Sequence, residues 1–486
     1  MYHLHAPRLF ASCLVAGVAV VCVFASLGPT GAQDKTPSDR PLYHADPKHL
    51  WDRLHEALFV RVGPDGHVYG QDRLEPLLWP HSKHLLEEQS HKRAVALLEE
   101  FAKDKGEKLI EDPLKRAVLQ RDLWLVFNWL EGDHDGFEEP SLTPVEVRAA
   151  RARLRRPLAA VIGRLIFTPE QIKKLPDNYA AAVGSGEFAK RFDPERPDKL
   201  YLPPELFAAD GPWVCVGRPD GPVAPEHLEE SGNNVFTNSA FLLFLRLPAG
   251  RAATLDYLKR LRSFDQPLLV EVKATERRLD KYIPNPKLPP LPAGAEVALV
   301  RRALLIASTN TPAATGLTES VQLRVYREVP EMTPQALSAA LHVDGSAHHR
   351  RARAWQSFQE FRLSRSLLFA GRAGGLRAVG PDERVFSTGF GSHTWDEFEF
   401  RGYRPADRSF AEASQELIKR TCFGCHSLPG VSSFNSFFNY RNNLSDSDRP
   451  RPFSLSEMPV SEVAGAAVKR KEGRPNWAAL RKLLAE

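Results

Sequence analysis

Five residues near the C-terminus, Cys422-Phe423-Gly424-Cys425-His426, constrain this chain more tightly than any other stretch. Two thiols three residues apart, with an imidazole directly after the second, form one compact donor group. The chain spends cysteine sparingly: the other three are Cys13, Cys22 and Cys215. Cys13 and Cys22 lie inside an apolar run from Leu9 to Leu27. Arg8 precedes that run and Gly28-Pro29-Thr30-Gly31-Ala32 follows it. This is the layout of a signal peptide over residues 1–32, cleaved after Ala32. An uncleaved membrane anchor is the alternative, because the run approaches spanning length. Either way the expected location is periplasmic or secreted. A secreted chain that used disulfides as a framework would carry more cysteines, in even number. Cys215, in Pro212-Trp213-Val214-Cys215-Val216, reads as a small buried hydrophobe.

At 486 residues the chain exceeds what one core usually holds, so several domains are expected. A net charge of +5 is mild for this length, and no nucleic-acid-binding module is present to use it. The expected architecture is a multidomain α+β protein. Residues 33–48 are polar and read as a disordered linker. Residues 49–176 carry helical patterning. Asp112-Pro113 is an N-cap with proline at the first helical position. In the helix it opens, Leu114, Val118, Phe127 and Leu130 share a face, with Trp124 and Trp129 nearby. Thr143-Pro144-Val145-Glu146 and Thr168-Pro169-Glu170-Gln171 open two further helices. Arg148, Arg151, Arg153, Arg155 and Arg156 on the first of these read as a solvated face.

Residues 177–330 read as a β-containing domain. Its strand candidates are Val235–Leu247, Leu268–Val272, Val297–Ile306 and the alternating Val321, Leu323 and Val325. Thr254–Arg262 reads as a short helix between the first two. Residues 177–232 show no clean period. Residues 331–405 read as a helical and loop connecting region, its helix starting at Thr333-Pro334 and reaching Phe369.

The unit from 406 to 486 holds the thiol pair. Ser409-Phe410-Ala411-Glu412 is a capping box. The helix that follows, with Phe410, Ala413, Leu417 and Ile418 apolar, runs directly into Cys422. Pro475-Asn476 precedes a last helix from Trp477 to Leu484. Cys-x-x-Cys-His is the spacing of a c-type haem attachment site. With its flanking helices the segment resembles a class I cytochrome c domain, which implies a C-terminal all-α fold. Carried over by that resemblance, Cys422 and Cys425 take the thioether bonds of haem c, and His426 is the proximal ligand of its iron. Met458, on the loop between the motif and the last helix, is the candidate for the opposite axial position. His393 or an open iron position is the alternative there. In that family a proline carbonyl orients the proximal imidazole; here Pro429 stands closer to the histidine than the family places it.

Other readings of the motif are a Cys422–Cys425 disulfide or dithiol pair. A thioredoxin-like site wants a βαβ setting that is missing before Cys422, and a structural zinc site wants four closely spaced ligands. His81, His84, Glu88 and His91 fall at helical spacing, but a di-iron bundle needs two Glu-x-x-His motifs plus two more glutamates. Gly389-Phe390-Gly391-Ser392-His393 is not a nucleophile elbow. The expected function is therefore an exported monohaem c-type cytochrome that carries single electrons to or from a redox protein partner. No particular small-molecule substrate is indicated. The alternatives are a haem-dependent redox enzyme with an open iron position, and a non-enzymatic exported binding protein.

Overall fold

The computed structural model describes residues 42–62, 68–73, 85, 88–131, 145–219, 221–225, 228, 238–266, 269–271, 282–330, 355–380, 383, 426, 430–438 and 455–486. The helices, in chain order, are α1 (Leu50–Phe59), α2 (Glu88–Lys103), α3 (Pro113–Glu131), α4 (Val145–Arg164), α5 (Pro169–Lys173), α6 (Asn178–Gly184), α7 (Arg251–Arg262), α8 (Arg365–Phe369), α9 (Val431–Asn435), α10 (Val460–Glu472) and α11 (Pro475–Ala485). The strands are β1 (Arg61–Val62), β2 (Val68–Tyr69), β3 (Val214–Gly217), β4 (Ser239–Arg246), β5 (Leu269–Glu271), β6 (Tyr282–Pro284), β7 (Ala295–Ala307), β8 (Thr311–Tyr326), β9 (Gln356–Leu363), β10 (Leu376–Ala378) and β11 (Ser456–Glu457).

The fold is α+β, built on a seven-stranded antiparallel sheet in the order β10-β9-β8-β7-β4-β3-β11. Its spine is the β7–β8 hairpin. The hairpin turns at Asn310, whose φ of 55° lies in the left-handed region that asparagine tolerates better than most residues. Both strands are largely buried on both faces, so the simple alternation read at Val321, Leu323 and Val325 covers only one stretch of β8. The capping signals at Asp112 and Thr168 are realised, while Thr143 and the Ser409–Glu412 box lie outside the described residues. Asp112 Oδ1 accepts from the backbone N–H of Leu114 at 2.8 Å. Thr168 and Gln171 close a reciprocal capping box at the start of α5.

Helix α3 is buried on every side from Ala117 to Leu130, not along one stripe. Its polar residues therefore need partners in the interior. Gln120 bonds the backbone of Leu165 and both backbone groups of Ile306, tying α3 to the end of β7. Arg121 pairs with Glu319 of β8, which also accepts from Ser239 Oγ at 2.6 Å and faces Arg301 at 3.0 Å. Asp122 takes Arg365 at 2.7 Å. Burial by itself would raise the Glu319 carboxyl, but the two guanidinium groups outweigh it and hold the group below its ordinary range.

The expected all-α C-terminal domain is not what forms. Strand β11 pairs with β3 at the sheet edge, Ser456 opposite Gly217. Trp477 of α11 packs on Trp124 of α3, ring centroids 5.6 Å apart, and Val463 of α10 lies in the core that covers the sheet. A two-residue strand carries no periodicity to read, and the apolar faces of α10 and α11 are spent on other parts of the chain. The cores likewise cross the positions expected as boundaries. One contains Tyr179, Val300, Phe361 and Phe434; another joins α1–α4 to Leu304, Ala464 and Trp477. Within 331–405 the helix expected to reach Phe369 gives way to strand β9 over Gln356–Leu363, followed by the short α8 capped by Ser364. Phe361 and Leu363 are buried among the sheet's apolar residues, while Gln359 and Glu360 are buried with bonds to the 197–199 backbone and to Arg362. That is how a polar-looking segment reads poorly yet sits inside a sheet. The stretch 177–232, which shows no period, supplies α6 and β3.

Two outcomes follow from these burials. Glu319→Ala strands Arg121 and Arg301 in the interior and is expected to cost about 3–5 kcal/mol, read as a lower urea midpoint. His55 is buried with Nε2 donating to the Gln71 carbonyl at 3.0 Å. Burial, reinforced by Arg365, pushes its pKa down to about 3. The folded state keeps this ring neutral while the unfolded chain protonates it near pH 6.5, so its contribution is complete above that pH and drains away as pH falls toward 3. Between pH 7 and pH 5 the protein is expected to lose about 2 kcal/mol from this group, a slope that His55→Gln removes in urea titrations at the two pH values.

Candidate functional site

His426 is 2% exposed, with its main chain held from β9 and its ring from the α9 segment. Its backbone carbonyl accepts from Gln356 Nε2 at 2.5 Å. Gln356 opens β9 opposite Tyr326, the last residue of β8. Its side-chain oxygen accepts in turn from Arg324 Nη1 at 3.2 Å, and the Arg324 guanidinium lies over the Phe358 ring at 4.5 Å. Arg324, Tyr326 and Gln356 share one face by strand alternation and register. The position of the His426 main chain is thus set by the ends of β8 and β9.

The ring is set by α9. His426 Nδ1 lies 3.1 Å from the Ser433 carbonyl oxygen and 2.8 Å from Ser436 Oγ, and Ser436 Oγ lies 2.6 Å from the same carbonyl. Phe437 packs on the imidazole with centroids 4.4 Å apart. This five-residue helix is anchored all round. Tyr326 OH donates to Ser433 Oγ at 2.9 Å. Burial pushes the Tyr326 phenol up, which keeps it a neutral donor. Beyond the helix, the Phe437 carbonyl accepts from the Ala224 N–H at 2.8 Å and the Phe438 carbonyl from Arg218 at 2.7 Å. Ahead of it, Gly430 has φ 55° and ψ −123°, a conformation that is essentially glycine's alone.

Cys422 and Cys425, with the helix expected to run into them, lie outside the described residues, as do His393, His81 and His84. Met458 follows β11. Its N–H donates to the Cys215 carbonyl at 3.0 Å, and its sulfur lies so close over Gly217 that a Cβ there would meet it at 2.2 Å. Met458 shares a small recess with Val223, Phe241 and Val463. It belongs to the same apolar core as Phe434 and Phe437, yet its described contacts are with β3, β4 and α10, whereas those of His426 are with β9 and the α9 segment. Cys215 is the buried thiol expected, pushed up to about 12 by burial and the Glu457 charge.

The remaining sequence candidates are accounted for by packing. His91 is buried in α2 with Nδ1 3.2 Å from the Leu85 carbonyl, and burial lowers its pKa. Among the arginines expected on a solvated face, Arg151 is buried over the Trp129 ring at 5.5 Å, Arg155 pairs with Glu131, and Arg156 pairs with Glu486 at 3.1 Å. The residues that sequence reasoning missed are those that hold His426: Tyr326, Gln356, Ser433 and Ser436. Two come from strand ends far away in the chain. The two serines follow the motif closely, but only the geometry gives them a role. Compared with family models, curated proteins and solved structures, the chain matches none.

Gly430→Ala is expected to destabilise the protein by about 1–3 kcal/mol, because the backbone angles exclude a side chain and the new Cβ would meet Val329 Cγ1 at 2.7 Å. Gly184→Ala, on a helix with open space around it, is the control that urea unfolding should find unharmed.

Proposed function

We propose that this chain is an exported c-type cytochrome with one covalently attached haem, acting as a single-electron carrier for a redox protein partner. The observation that carries the reading is the spacing Cys422-Phe423-Gly424-Cys425-His426. Cys422 and Cys425 are the residues that would hold the haem through thioether bonds, and His426 the residue that would hold its iron. The donor chemistry at His426 fits such a group. A metal-bound histidine typically engages its other ring nitrogen with a carbonyl or carboxylate, and Nδ1 here faces the Ser433 carbonyl, so Nε2 is the nitrogen suited to iron.

A haem bound there would supply one-electron exchange between Fe(II) and Fe(III). The chain's own contributions are distinct from that chemistry. Gln356 fixes the main chain at His426. The α9 backbone orients the ring, Phe437 packs on the imidazole, and Phe434 and Phe438 of the same segment are buried beside it in the chain. Burial of this kind restricts water around a redox centre and so bears on its potential. Met458 is proposed, on its place in the chain, as a second residue that would hold the iron. The N-terminal apolar run is proposed to export the protein to the compartment where haem is attached.

Expression beside a haem c maturation system provides the test. Covalent haem is expected in a haem-stained denaturing gel and as a reduced pyridine haemochrome, and Cys422→Ser with Cys425→Ser should abolish both. Wild-type protein without covalent haem overturns the proposal. Met458→Ala is expected to remove a sulfur-to-iron absorption band from the haem-loaded protein; an unchanged spectrum excludes Met458 as a ligand.

A further inference from the structure

The contacts around His426 Nδ1 form a triangle of three polar atoms with few hydrogens to share. The Ser433 carbonyl can only accept. The Ser436 hydroxyl has one hydrogen, and its oxygen lies 2.6 Å from that carbonyl and 2.8 Å from Nδ1. If the hydroxyl donates to the carbonyl, its lone pairs face the ring. Both groups then accept from a hydrogen on Nδ1, and all three contacts are satisfied. If Nδ1 carried no hydrogen, its lone pair would face the carbonyl lone pairs at 3.1 Å, and the hydroxyl could serve only one of the two acceptors. In a buried site that arrangement is penalised.

We propose that Ser436, sharing the Ser433 carbonyl, is the positioning residue that locks His426 in its Nδ1-protonated form and so presents Nε2 to iron. The proposal rests on the haem reading for its purpose, but its geometry belongs to this chain alone. The carbonyl that meets the ring is that of Ser433, in α9; Pro429 lies outside the described residues. The Ser433 side chain is itself engaged by Tyr326, which keeps α9 in register under the imidazole. Ser436 Oγ makes the shorter of the two contacts to Nδ1, so it is the stronger acceptor for the ring hydrogen. Donation from Nδ1 gives the imidazole more anionic character, which favours Fe(III) over Fe(II).

The test has two arms. In protein labelled with 15N-histidine and made without haem attachment, the His426 ring shifts, assigned by their loss in His426→Gln, are expected to show hydrogen on Nδ1. Ser436→Ala should admit a detectable Nε2-protonated fraction, and Ser436→Thr should restore the wild-type pattern. In haem-loaded protein, Ser436→Ala should raise the reduction potential and Ser436→Thr should return it. A wild-type ring protonated at Nε2, or an unshifted Ser436→Ala in both arms, overturns the proposal. An equal rise in Tyr326→Phe, which loosens α9 without touching Nδ1, also overturns it by assigning the shift to general loosening. Absence of covalent haem in the wild-type protein would defeat the haem reading alone, since the tautomer arm is measured without haem.

Discussion

The Glu319 carboxylate, buried between Arg121 and Arg301, is the interaction on which the described structure depends. It sits on the longest strand, and its partners come from the neighbouring strand, from Ser239 on β4 and from the one helix buried on every side. A charge in that position is tolerable only while each of those groups stays in place. The apolar contacts around it permit many arrangements of a helix on a sheet. The ion pairs, together with Gln120 on Ile306 and Asp122 on Arg365, admit one. The same register places Gln356, at the start of β9, where it meets His426.

The site inherits its rigidity from that sheet. Gln356 and Tyr326 face each other across a strand pair whose other end is fixed by Glu319, and they hold the His426 main chain and the α9 helix respectively. A five-residue helix has little stability of its own. Here it is fixed at Gly430, at Ser433 and beyond Phe437, so the imidazole of His426 that it contacts is positioned by long-range contacts.

Much of the helical content was legible because capping chemistry is local. Asp112-Pro113, Thr168 to Gln171 and Pro475 each mark a helix start by residues within one turn of it. Of the central hairpin, β7 was legible as an apolar run and the end of β8 as an alternation. What could not be read was membership. Strand β9 hides among polar residues because its side chains are paired inside the protein, and β11 is two residues long. The apolar face of α11 looked sufficient for a small unit of its own, whereas Trp477 is a partner of Trp124 more than three hundred positions earlier. At the candidate site the histidine was legible from its thiol neighbours, and the hydrogen-bonding groups around its ring were not, because serine at those spacings has no meaning until α9 turns back beneath the imidazole.

That distant pairing of Trp477 with Trp124 also sets an order of events. The helical core formed by α1–α4 lacks part of its filling until α10 and α11 arrive, and the sheet lacks its β11 edge until the same residues are present. The helical core of α1–α4 is therefore complete only once α10 and α11 have packed onto it. Non-local closure of this kind is slow. Residues 455–486 thus serve two distant places at once, the helical core and the sheet edge, and neither is complete without them.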